Sequence, residues 1–157
     1  MLNRDFEALT VNGACDLTEK NILAGSPLTI GANGYKLAKT GDKFAGLSYN
    51  YYFTGKNDVT GGEWFADSCK VGVVKVAQVT LGCDEIDGVK VAPFVMPSEM
   101  TSGQEVYKAN DALYIDGNGK LTNVQPAAVS GVDAEAVATV IGFNADTVEL
   151  TIFVNVK

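Results

Sequence analysis

The chain has 157 residues, a formal net charge of −7 and no histidine, with 19 acidic residues against 12 basic. At that length one compact domain is expected, with room for two small lobes, and an apolar fraction of 46% argues against wholesale disorder. Without histidine there is no Ser-His-Asp or Cys-His catalytic arrangement, no His-ligated metal and no imidazole base.

Residues 1–17 hold apolar side chains (Leu2, Phe6, Leu9, Val11) that fit neither the helical nor the strand period for long. Asp5–Leu9 is long enough for one helical turn, with no cap to extend it. Residues 1–20 therefore read as an extended N-terminal arm that cannot bury its own apolar residues and orders on a partner. Gly25-Ser26-Pro27 then turns into a strand ending at Ile30, and Asn33-Gly34 reads as a two-residue hairpin turn. Phe44–Phe53 reads as one long aromatic strand, and Thr54–Gly62 as a loop followed by Trp64 and Phe65.

Val71–Leu81 is a β-branched strand, and Asp87-Gly88 is a second hairpin turn, leading into Val89–Val95. Short strands follow at Val106-Tyr107, Ala112–Ile115 and Lys120–Thr122. Asp133–Val137 is allowed a helical turn. Ala138–Phe143 pairs with Thr147–Val156 across Asn144-Ala145-Asp146. Val148, Leu150, Ile152, Val154 and Val156 point one way, and Glu149, Thr151, Phe153 and Asn155 the other. A weak internal repeat sets Gly25–Leu47 beside Gly103–Phe143. The expectation is an all-β fold, a small β-barrel or β-sandwich of hairpins with at most short helical turns. It spans residues 21–157 as a single β-rich domain, or as two sub-lobes, 21–95 and 96–157.

The chemistry on offer is sparse. Eleven of the twelve basic residues are Lys and Arg4 is the sole Arg, a poor footprint for nucleic acid or an anionic membrane. The longest apolar stretches fall short of the roughly 20 residues that a helix needs to cross a bilayer. The N-terminus has no basic region followed by an apolar run, so no secretory signal is expected and folding is expected in the cytoplasm. Cys15, Cys69 and Cys83 are too few and too widely spaced for a disulfide framework or a zinc site. Cys83 stands beside Asp84, Glu85 and Asp87, whose charge raises a thiol pKa and blunts a nucleophile. Asp116-Gly117-Asn118-Gly119-Lys120 fails the calcium-loop pattern at its fifth, sixth and twelfth positions and reads as a tight turn. No catalytic residue, metal site or cofactor is assigned, and the expectation is a non-enzymatic protein. The candidate contact residues are Leu2, Arg4, Phe6 and Leu9 of the arm and Trp64 beside the glycine-rich loop.

Two stretches carry a resemblance. One is Ile22-Leu23-Ala24-Gly25-Ser26-Pro27-Leu28, followed by a hairpin and Phe44-Ala45-Gly46-Leu47-Ser48. The other is Val140-Ile141-Gly142-Phe143, a polar turn, and Val148–Val154. This style resembles the small β-rich decoration (cement) proteins of tailed-phage heads. The resemblance implies a virion protein on the capsid exterior that bridges neighbouring major capsid protein subunits, often as a trimer and often through an N-terminal arm. The rival expectation is a carbohydrate-binding or adhesion module that uses Trp64 and the tyrosines at 49, 51 and 52 as a stacking platform.

Overall fold

The structure is a computed structural model that describes residues 2–4, 9–14, 16, 21–49, 52–53 and 70–156. Its N-terminal strands are β1 (Leu2–Arg4), β2 (Leu9–Ala14), β3 (Asn21–Ile22), β4 (Pro27–Gly31), β5 (Gly34–Leu37), β6 (Gly46–Ser48) and β7 (Tyr52–Phe53). The remaining strands are β8 (Lys70–Leu81), β9 (Asp84–Ile86), β10 (Val89–Val91), β11 (Ala112–Ile115), β12 (Leu121–Thr122), β13 (Ala138–Asn144) and β14 (Glu149–Asn155). One 3-10 turn covers Pro97–Glu99. The all-β expectation holds: the main sheet runs β12-β11-β13-β14-β8-β6-β4-β5 and curls into a half-barrel, with β1 and β2 also paired to β8.

β8 is the spine. It is twelve residues long and rich in valine; residues 72–74 are buried, while Val76, Gln78 and Thr80 are half-exposed on the outer face. Leu9 pairs with Val76 but Thr10 pairs with Val74, so Lys75 is an extra residue on β8. Such a bulge reverses the alternation of side chains. The main core therefore takes Ala77, Val79 and Leu81 on one side of the bulge and Val74 on the other. Val73 points instead into a smaller cluster with Ile22, Leu28, Tyr35 and Leu37. The close passage of β6 over β8 needs Gly46: its φ is +139°, and a Cβ there would stand 2.5 Å from Val73 Cγ1 and 2.6 Å from the Val74 carbonyl oxygen.

The main core draws on residues from Ala38 to Val154. Leu150, Ile152 and Val154 of β14 are all fully buried, as their alternation requires. Behind them Phe94 meets the rings of Tyr107 (centroids 6.0 Å apart, 81° between planes) and Phe143 (6.4 Å, 80°) edge to face. Edge-to-face pairs add about 0.5–1.5 kcal/mol beyond their buried area. The Tyr107 hydroxyl donates to the Val95 carbonyl at 2.8 Å and lies 3.3 Å from that of Leu121. Phe94 itself forms a parallel backbone bridge with Leu121: the Val95 amide donates to the Leu121 carbonyl and the Leu121 amide to the Pro93 carbonyl, both at 2.9 Å, which ties residues 93–95 to β12.

Several local expectations change. The Asn33-Gly34 hairpin forms, but Gly31 pairs with Gly34, so its two turn residues are Ala32 and Asn33. Neither of those has a positive φ, unlike Asp87 (52°) and Gly88 (78°), which form the expected left-handed pair between Ile86 and Val89. Phe44–Phe53 is no single strand: β6 ends at Ser48 and β7 holds only Tyr52–Phe53. Val106-Tyr107 is loop, because Tyr107 turns its ring into the core rather than pairing its backbone. The proposed repeat fails there, since Pro27–Gly31 is a strand and residues 104–108 are not. Residues 133–137 hold no helical turn. Asp116 Oδ1 accepts the amides of Asn118 and Lys120, both at 2.8 Å, which makes that segment the tight turn expected of it.

Candidate interaction surface

The N-terminal arm is the first component. Residues 1–17 carry no clear period, yet β1 and β2 both lie antiparallel along one edge of β8. Leu2 pairs with Leu81 and Arg4 with Val79, while Leu9 pairs with Val76 and Ala14 with Lys70. Three of the five candidate contact residues, Leu2, Arg4 and Leu9, thus share one track beside the central strand. Phe6 and Trp64 lie outside the described residues, as do Cys15 and Cys69.

The second component is the sheet's outer face. With Leu150, Ile152 and Val154 inside, Phe153 faces out and is 40% exposed. It pairs with Thr139 of β13 and Gln78 of β8. One row away, Thr151 pairs with Thr80, their hydroxyl oxygens 2.9 Å apart, and Thr80 pairs with Asn3 of the arm. On the other side Asn155 pairs with Val76, which pairs with Leu9. Ile141 is the extra residue of a bulge between Val140 and Gly142, and it is 41% exposed. The face is therefore broad, threonine-lined and carries two large apolar side chains, with the arm as its border. The alternation along β14 makes Phe153 readable from sequence. The exposure of Ile141 is not, because the bulge that frees it has no sequence signature.

A groove of about 600 Å³ lies elsewhere, between Lys39, Asp42 and Lys43 on one side and Asp133, Glu135 and Val137 on the other. It mixes both charges with valines and gathers no reactive trio. Among the described residues no group of three or more Cys, Asp or Glu side chains is placed to hold a metal ion. Cys83 is half-buried, with its thiol 3.6 Å from the Asp84 carbonyl and 3.7 Å from Met96 Sδ, on the margin of the core.

Lys75 is the unusual cation. Its ammonium donates to the Ala45 carbonyl and sits 5.8 Å from the centre of the Tyr35 ring. Desolvation holds its pKa below the ordinary lysine value. By contrast Lys120 reaches Glu99 at 2.6 Å near the surface, and Glu99 also accepts the Met96 amide at 3.0 Å. That pair fastens the 3-10 turn to the 116–120 turn and builds no site.

Comparison with protein-family models, with curated proteins and with solved structures finds no match to this chain.

Proposed function

We propose that this protein is a non-enzymatic virion component that binds the outer surface of a tailed-phage capsid and bridges neighbouring major capsid protein subunits. The observation that carries the reading is the face formed by β13, β14 and β8, on which Phe153 and Ile141 stand exposed and which the arm borders along β8. A sheet face with apolar anchors and a polar surround matches the anatomy of a protein-docking surface. The arm adds an extended element at the border of the same face. The sequence resemblance to decoration proteins supplies the partner, and the charge of −7 favours a protein that stays soluble before assembly. On this reading it folds in the host cytoplasm and is carried on the capsid exterior.

The test is the copy number of this protein relative to the major capsid protein in gradient-purified virions, measured by quantitative mass spectrometry. A stoichiometric ratio, or one-third of it, supports capsid decoration. A few copies per virion point to a tail component instead. Absence from virions overturns the reading, and binding on a glycan array would then favour the carbohydrate module.

A further inference from the structure

The arm pairs with β8 in two stretches, Leu2–Arg4 against Val79–Leu81 and Leu9–Ala14 against Lys70–Val76. The register shifts by two residues between Arg4↔Val79 and Leu9↔Val76 and back by one at Thr10↔Val74, so β1 and β2 follow the same edge of β8 with a changed register. Among the described residues β1 has no strand partner other than β8. β2 gains one further support: the Asp16 amide donates to the Tyr35 carbonyl of β5 at 2.8 Å. The track pairs backbone to backbone with a strand that lies far away in sequence.

We infer that this edge of β8 is an exchange site, on which the N-terminal strand of one copy pairs with β8 of a second copy. Exchange of an identical element is a low-cost route to association, since every native contact is remade between chains. The seat itself selects the occupant. A Cβ at residue 13 would lie 2.2 Å from Tyr35 Cε2 and 2.6 Å from Tyr35 Cδ2. A strand with a glycine at that point fits without moving the ring, and Leu9-Thr10-Val11-Asn12-Gly13-Ala14 provides one in register. The ring is also engaged from the β8 side, by the Lys75 ammonium. The chain between Ala14 and Asn21 spans at most roughly 25 Å when extended. The receiving copy must therefore touch the donor. This inference stands apart from the capsid reading, because its test contains only this chain.

The experiment uses a background in which Cys15, Cys69 and Cys83 are replaced by alanine, with Asn3→Cys in one copy and Thr80→Cys in the other. These two residues are directly opposed in the antiparallel ladder, where Cα atoms stand about 4.5–5.5 Å apart, within reach of a disulfide. The two variants are denatured together, refolded over a range of concentrations and oxidised. The expected result is a covalent heterodimer whose fraction rises with concentration, above the level of dimers in either variant alone. Adding Gly13→Ala to both copies lowers that fraction. The Asn3→Cys/Thr80→Cys double variant reports whether the arm docks within one chain. If it closes its internal bond and the mixture gives no heterodimer at any concentration, exchange is overturned. If its two thiols form no bond either within one chain or between copies, the arm does not lie in register on β8 and the proposal falls with it.

Discussion

The Tyr35 ring fills the space where a side chain on Gly13 would begin, with Tyr35 Cε2 2.2 Å from the position of a Cβ there. One aromatic residue of β5 thereby specifies one glycine of β2, two strands that the chain reaches from opposite sides of β8. A Gly13→Ala chain has to push the ring off the Lys75 ammonium or lift the arm.

The first prediction follows from that contact. Gly13→Ala costs about 1–3 kcal/mol, the range for overpacking a fitted site. Tyr35→Ala removes the obstacle, so the cost of Gly13→Ala shrinks in that background. Urea unfolding of the four proteins in a double-mutant cycle measures the coupling. Additive effects would show that the two residues do not meet.

Tyr107 yields the second. Its hydroxyl is buried and satisfies the Val95 carbonyl, so Tyr107→Phe costs about 1–3 kcal/mol. Burial, with the charges of Asp116 and Glu99 adding to it, raises the Tyr107 pKa well above the ordinary tyrosine value. The folded-state pKa lies above the unfolded one. The stability it contributes is therefore complete below about pH 10 and is lost as pH rises toward the folded pKa. The gap in stability between the parent and Tyr107→Phe should narrow above pH 10. A constant gap to the alkaline limit of folding would contradict this.

Lys75 behaves with the opposite sign. Desolvation lowers its folded-state pKa, so between that value and the unfolded one the native protein binds fewer protons, and stability rises with pH. Carbon-detected NMR titration of the lysine Cε signals should show Lys75 titrating before the exposed lysines. Replacement by methionine keeps the unbranched stem and deletes the assigned signal. A Lys75 resonance that titrates with the others would mean that the ammonium is solvated and does not hold the Ala45 carbonyl.

The outer face gives the fourth. Phe153 is 40% exposed, so Phe153→Ser leaves most of the core intact and shifts stability by less than its buried neighbours would. If the face docks on a capsid, the same change, alone or with Ile141→Ser, lowers capsid occupancy in co-sedimentation by about tenfold or more, which corresponds to a loss of about 1.4 kcal/mol in binding. Unchanged occupancy by a folded double variant would place the contact on another surface.

Legibility tracked the distance over which residues pair. The β13–β14 hairpin could be read directly, since its two strands are neighbours and Leu150, Ile152 and Val154 keep strict alternation. The Asp87-Gly88 turn was legible for the same reason, with its stereochemistry carried by two adjacent residues. The arm was not: its residues lack a period of their own because their order comes from pairing with Lys70–Leu81, a strand far along the chain. Likewise Val106-Tyr107 has the look of a strand, but the burial of one ring and its bond to Val95 outweigh local propensity there. The aromatic cluster of Phe94, Tyr107 and Phe143 joins residues with no sequence proximity, so no window of the chain announces it.

The sequence by itself determined the class of fold and the chemistry that is missing. Alternating β-branched residues and glycine turns act over a few residues, and a chain with no histidine has no imidazole whatever its shape. Only the tertiary structure decided that the arm lies along β8 and that the extra residue Lys75 divides two cores. It also decided that Phe153 and Ile141 share a surface bordered by that arm. Those features rest on backbone ladders and packing between remote segments. Their free energy belongs to the assembled sheet and to no single stretch of residues.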